Sequence, residues 1–246
     1  MEMRIFLAGA AGVIGRSLVP LLREAGHQVT GTTRTDEGRA RLAALGIDAV
    51  IVDVFDEKAL ERAMTAAAPD VVIHQLTDLS AGIDQASPEG ALKRNARLRR
   101  EGTANLVRAA RAAHVKRMIA QSIGWAYLPK EPPYLETDPL DTDAIGPRAI
   151  SVCEGVVPLE DAVLQQPDFE GIVLRYGRLY GPGTWSDQPD RLLPLHIDAA
   201  AYAALLAVDH GRPGAYNIAE ANGTLSIDKA VRELGWRPDF RREPSR

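Results

Sequence analysis

Three glycines, Gly9, Gly12 and Gly15, recur at every third position in Ile5-Phe6-Leu7-Ala8-Gly9-Ala10-Ala11-Gly12-Val13-Ile14-Gly15. A short apolar run precedes them, and a helical pattern carried by Leu18, Leu21 and Leu22 follows. Backbone N–H groups at the start of a helix favour negative charge, and glycines let an anion approach them without meeting side chains. Gly9 is expected to permit the tight turn, Gly12 to admit a pyrophosphate, and Gly15 to let the helix pack close to the strand. The N–H groups of Val13 and Ile14 then face the phosphates. The chemistry this spacing predicts is dinucleotide binding.

Further signals sit at the ends of the following apolar runs. The second run ends Thr32-Thr33-Arg34, and the Arg34 guanidinium can pair with a ribose 2′-phosphate, which predicts NADP; Asp36 or Glu37 at the same place would suit NAD. The third ends Val52-Asp53-Val54, with Asp53 expected to hydrogen-bond the adenine and Val54 to pack on its ring. The fourth ends His74-Gln75-Leu76-Thr77, whose last three residues are expected to line a ribose, whereas His74 reads as a core histidine. Proton-transfer chemistry needs a hydroxyl near these strand ends, and the candidates are Ser122, Tyr127, Tyr176 and the loop residue Tyr134.

The elements that must position these groups alternate. Strand-like runs at Arg4–Ala8, His27–Gly31, Ala49–Val52, Asp70–His74, Arg117–Ala120 and Gly171–Leu174 are separated by helical patterns. Those patterns cover Val13–Ala25, Glu37–Leu45, Glu57–Ala67, Pro88–Ala113 and Ala149–Gln165. Such alternation predicts an α/β fold: a doubly wound parallel sheet with helices on both faces and right-handed crossovers. A nucleotide-binding part over residues 1–176 and a smaller C-terminal part over 177–246, interleaved with it, are expected. Two loops rich in Pro, Gly and Asp, Leu128–Pro147 and Gly181–Pro194, follow strands, where open α/β sheets hold their ligands.

Composition excludes several other classes. Of 246 residues 46% are hydrophobic and 25% charged, ordinary globular usage, and no apolar run approaches the length of a membrane span. A net charge of −4 argues against a nucleic-acid partner, and the cluster Arg94, Arg97, Arg99 and Arg100 is expected as a solvated helix face. The single cysteine, Cys153, suits neither an internal disulfide nor a metal site, which points to a reducing, cytoplasmic setting without a signal segment.

Taken in order, these segments resemble the short-chain dehydrogenase/reductase superfamily in its extended or atypical branch, the group of NAD(P)-dependent epimerases and dehydratases. Gly9, Gly12 and Gly15 match its glycine loop, and Gly102-Thr103-Ala104-Asn105-Leu106 is similar to its "GTxNLL" helix. Arg117–Ser122 is similar to its fifth strand and serine, and Arg175-Tyr176-Gly177 with Tyr180-Gly181-Pro182-Gly183 to its "R…YGPG" segment. His196-Ile197-Asp198 resembles "HVDD", and Leu234-Gly235-Trp236-Arg237-Pro238 resembles "LGWxP". The resemblance implies a Rossmann-like fold, NADP or NAD as cofactor with Ser122 and Arg175 beside it, and hydride transfer to a small carbonyl, hydroxyl or sugar-type substrate.

The chain departs from that pattern where the chemistry is done. The superfamily's Tyr-x-x-x-Lys pair occurs nowhere in it, and anchoring on Glu160 puts Val152 and Val156 at those two positions. A helix asparagine expected three residues before Gly102 is replaced by Arg99. The segments from Tyr180 to His196 and from Asn222 to Leu234 are short, which favours a small substrate or a pocket completed by a second copy. Two readings follow: an NAD(P)-dependent oxidoreductase or epimerase whose proton comes from Ser122, Tyr127 or Tyr176, or a catalytically silent NADP-binding sensor. A homodimer through the helices at 88–113 and 149–165 is a further expectation.

Overall fold

The computed structural model describes residues 1–78 and 88–242. Its chain alternates from the start: β1 (Arg4–Ala8), α1 (Val13–Glu24), β2 (Gln28–Thr33), α2 (Asp36–Ala44), β3 (Asp48–Ile51), α3 (Glu57–Ala67) and β4 (Val71–His74). It continues through α4 (Pro88–Arg97), α5 (Thr103–Ala112), β5 (Arg117–Ile123), α6 (Gly146–Ser151), α7 (Val157–Leu164) and β6 (Glu170–Tyr176). The remainder comprises β7 (Arg178–Tyr180), β8 (Pro194–His196), α8 (Ile197–Leu206), β9 (Gly214–Ile218) and α9 (Asp228–Leu234). Seven strands form one parallel sheet in the order β3-β2-β1-β4-β5-β6-β9, and β7 pairs with β8 in a small separate ribbon. This is the doubly wound α/β sheet the alternation predicts, reversing direction between β1 and β4.

The two-residue period of a strand splits the core. Ile5 and Leu7 of β1 face Leu18 and Leu22 of α1 and the alanine-rich α8, whereas Phe6 and Ala8 face Leu60, Met64, Leu106 and Val163 from α3, α5 and α7. All four residues of β4 are buried, as a central parallel strand covered on both faces requires. Ala199, Ala200, Ala203 and Ala204 of α8 are fully buried, and their small side chains let α8 lie close against α1.

Beyond residue 176 the structure adds what the pattern did not show. β9 pairs beside β6, so the C-terminal residues complete the main sheet. A five-residue edge strand with Asn217 inside it carries too weak a signal to stand out. The helices expected at 88–113 and 149–165 are each interrupted by a π-helical turn, Leu98–Gly102 and Val152–Val156, and the two turns pack against each other. Such turns concentrate at functional sites. The outward face of α4 is charged and already paired: Lys93 with Glu89, Arg94 with Asp78, Arg97 with Glu101. Among the described residues, no large hydrophobic side chain within the helices α4, α5, α6 and α7 themselves is exposed, although Ile145 at the cap of α6 is. Among the described residues no helix is long and apolar enough to cross a membrane.

Candidate functional site

The glycine loop joins β1 to α1 at the reversal point of the sheet. Gly9 has φ +93°, and a Cβ on it would stand 2.8 Å from the Gln75 backbone at the end of β4. A Cβ on Gly15 would stand 2.3 Å from the Gly9 carbonyl oxygen and 2.5 Å from that of Ala10. The third glycine therefore seats the first helical turn on the loop's own carbonyls rather than on the strand. At Gly12 a Cβ would meet only the Gly9 oxygen, at 3.2 Å, and its other side is open. Gly12 caps α1 without a side-chain hydrogen bond, and no acidic residue occupies the first turn. The N–H groups of Val13, Ile14 and Gly15 thus begin a helix whose own first turn carries no acidic side chain, and a pyrophosphate fits.

Of the adenosine-side groups around this loop, Arg34 is the least committed among the described residues. Arg34, just past β2, is exposed and among the described residues has neither ion pair nor hydrogen bond. The acidic alternatives are occupied within their own helix, Asp36 by Arg39 at 2.7 Å and Glu37 by Arg41 at 2.5 Å. Asp53 is exposed and uses one oxygen to accept from the Phe55 N–H at 2.9 Å. Val54 is buried under Gly102, and its carbonyl accepts from Asn105 at 2.9 Å. Leu76 is fixed by its neighbours: its N–H donates to His74 Nδ1 at 3.2 Å, and its carbonyl accepts from Gln121 at 3.0 Å. Thr77 beside it is exposed. Gln75 is buried, and its Oε1 is the one enclosed side-chain polar atom among the described residues without a partner. His74 is the core histidine expected. Its Nδ1 accepts from Leu76, so Nε2 carries the proton toward Thr103 Oγ at 3.0 Å, and burial together with the Arg99 charge lowers its pKa to about 3.

Each expected proton donor is hydrogen-bonded within the protein. Ser122 donates to Glu160 at 2.7 Å in a buried contact. Glu160 accepts from Arg175 Nη2 at 2.7 Å and from its Nε at 3.1 and 3.2 Å. Arg175 Nη1 donates to the Tyr127 hydroxyl at 2.8 Å and to the Glu136 carbonyl at 3.1 Å, and the Tyr127 hydroxyl donates to Asn217 at 2.5 Å. Asn217 in turn bonds Glu136 and the carbonyls of Tyr134 and Ser226. This chain ties β5, β6, β9, α7 and the long loop together from inside. Burial pushes the Tyr127 hydroxyl up to about 12, and that of Tyr176 is raised by burial as well. Tyr176 is 3% exposed and donates into the core, to the Ala200 carbonyl at 3.2 Å. Tyr134 stacks on Tyr127 and returns its hydroxyl to the Lys130 carbonyl at 2.8 Å. All four hydroxyls are spent on the protein, and so is the Arg175 guanidinium that was expected at the cofactor.

Val152 and Val156 are fully buried with Ala126 and are flanked by Ile123, Trp125 and Leu140, so this wall is apolar. The arginine cluster divides: Arg94, Arg97 and Arg100 are exposed, but Arg99 is 5% exposed. It shares the inward face with Asn95 and Thr103, four residues to either side, and that spacing was the signal for its burial. Asn217 and Glu136 carry no such signal, since their partners lie far along the chain. No cluster of metal-ligating side chains occurs among the described residues.

Comparison with known proteins agrees with this architecture. The family model of the NAD dependent epimerase/dehydratase family matches residues 5–213. The chain is 41% identical to a 3-diazoavenalumate denitrifying reductase of a Streptomyces species, over 98% of this chain and 81% of that protein. It is 26% identical to an L-arabinose 1-dehydrogenase (NAD(P)(+)) of Haloferax volcanii, over 96% of each. In fold it is similar to a UDP-glucose 4-epimerase of Thermotoga maritima, with TM-score 0.76, 20% identity, and 98% and 94% of the two chains covered. With the glycine loop, the sheet order and a family match running from β1 past α8, the chain belongs to the NAD dependent epimerase/dehydratase family.

Proposed function

We propose that this chain is an NAD(P)H-dependent reductase that delivers hydride to a small aromatic diazonium compound. The observation that carries the reading is that the four hydroxyls expected as proton donors are all engaged by the protein itself. Val152 and Val156 form an apolar wall, and Ser122, Tyr127, Tyr134 and Tyr176 all have engaged hydroxyls. Hydride addition to a carbonyl leaves an alkoxide that must be protonated, and the reverse reaction on a hydroxyl needs a base. A diazonium ion needs neither. The cofactor supplies the hydride in Ar–N2+ + NAD(P)H → Ar–H + N2 + NAD(P)+, where the new C–H bond takes the hydride pair and the C–N pair leaves with dinitrogen. The Streptomyces relative, whose name denotes a reductase of a diazo compound, supports this choice at 41% identity. The sensor reading has no such support, since the relatives over most of this chain are named as a reductase and a dehydrogenase.

In this reading the chain binds and orients. The Gly9–Gly15 loop and the N–H groups of Val13 and Ile14 hold the pyrophosphate, Asp53 and Val54 take the adenine, and Gln75, Leu76 and Thr77 line the ribose. Arg34 selects NADP. Val152, Val156 and Ala126 are fully buried and apolar, so this part of the fold offers the reaction no proton. The test follows reduced-cofactor absorbance and dinitrogen release with 4-carboxybenzenediazonium and NADPH, beside benzaldehyde with NADPH and L-arabinose with NADP+. Turnover of the diazonium alone, lost in Gly12→Val, is the expected result. Turnover of the aldehyde or the sugar without the diazonium overturns the proposal. Light scattering tests the homodimer proposed through residues 88–113 and 149–165.

A further inference from the structure

Arg99 is the anomaly among the arginines of its helix. Arg94, Arg97 and Arg100 are exposed and ion-paired, yet Arg99, 5% exposed, makes no hydrogen bond or ion pair among the described residues. A charge taken out of water without a partner destabilises the fold, so packing alone gives no reason for it. Its stem passes Gly155 on the opposing π-helical turn, where an added Cβ would stand 3.4 Å from Arg99 Cδ. The guanidinium lies within electrostatic reach of His74 at the end of β4 and of Glu160. Glu160 already serves Ser122 and Arg175. Two guanidinium charges therefore share one carboxylate, and among the described residues one positive charge stays uncompensated. Burial lowers the Arg99 pKa to about 10, as expected of a cation short of counter-charge. The only fully enclosed, unpartnered side-chain polar atom among the described residues is Gln75 Oε1, so the Arg99 nitrogens retain a path to solvent.

The position narrows what comes down that path. Arg99 stands near the ends of β4 and β5, where the second half of a bound dinucleotide and its substrate meet in a sheet of this order. The cofactor's phosphates are elsewhere in the proposed pose: the pyrophosphate at the start of α1, which packs on the other face of the sheet, and the 2′-phosphate beyond β2. We propose that Arg99 binds a carboxylate of the substrate and so restricts the site to aromatic carboxylates. This rests on the reductase reading for the pose of the cofactor. The name of the Streptomyces relative's substrate, 3-diazoavenalumate, is that of a carboxylate anion.

The experiment titrates the NADP+-loaded protein with cinnamate and with neutral cinnamamide, in the wild type, Arg99→Gln and Arg99→Lys. Cinnamate should bind the wild type and weaken about 10- to 150-fold in Arg99→Gln, the range of a charge-assisted hydrogen bond. Arg99→Lys should recover part of that loss, and cinnamamide should bind all three alike. Because Arg99 holds no group among the described residues, Arg99→Gln should keep or raise the Tm and leave NADP+ affinity unchanged. Equal cinnamate affinity in wild type and Arg99→Gln overturns the proposal, as does absence of cinnamate binding to the wild type. A parallel loss of NADP+ affinity also overturns it and assigns the guanidinium to the cofactor, and a sharp fall in Tm assigns it to the fold. Charge-dependent cinnamate binding in a protein that reduces no diazonium supports the carboxylate site while refuting the reaction, so the two failures are distinguishable.

Discussion

The two halves of the sheet treat their polar groups in opposite ways. Around β1, β2 and β3 the groups at the strand ends face outward and wait: Arg34 has no partner among the described residues, Asp53 is exposed, and Gly12 is open on one side. Around β5, β6 and β9 the corresponding groups face one another, in the chain from Ser122 through Glu160, Arg175 and Tyr127 to Asn217. The first half keeps its hydrogen-bonding capacity for a ligand. The second uses it to fasten an edge strand and a long loop onto the sheet. A serine and two tyrosines at strand ends are therefore not evidence of catalysis until their hydroxyls are known to be free.

Breaking the buried half should have the largest effect. Glu160→Ala leaves Arg175 buried without its carboxylate and should destabilise the protein by about 3–5 kcal/mol, measured by denaturant unfolding. Cofactor titration of the surviving folded fraction should show little change, because none of the loop groups touches Glu160. A loss of cofactor affinity larger than the loss of stability would show that the two halves are coupled.

On the other half, Arg34→Ala should leave stability within about 0.5 kcal/mol and reduce NADP affinity by about 10- to 150-fold, with NAD nearly unaffected. The difference should shrink as salt is added, since Arg34 is exposed. Equal losses for both cofactors would mean that the guanidinium does not read the 2′-phosphate.

The smallest effect tests the border between the halves. His74 is held neutral, its pKa lowered from 6.5 to about 3, so between those values the unfolded chain binds a proton that the folded one does not. Stability from this group is full above about pH 6.5 and falls as the pH drops toward 3, by at most about 1.4 kcal/mol per pH unit. His74→Asn should flatten that slope in urea titrations at pH 7, 6 and 5, even if it lowers stability throughout. An unchanged slope would assign the acid sensitivity to the carboxylates.

The glycine spacing, the strand–helix alternation and the positions of Arg34, Asp53 and His74 were legible from the chain alone. Each depends on neighbours within a few residues: a positive φ at Gly9, an N-terminus at Gly12, a strand end at Thr33. The fate of Ser122, Tyr127, Tyr176 and Arg175 was not, because their partners are 15 to 101 residues away and are brought into register only when the strands of the sheet pair. Arg99 is divided between the two: its spacing from Asn95 and Thr103 marks the inward face, but only the packing of one π-helical turn against another leaves it there without a counter-ion among the described residues.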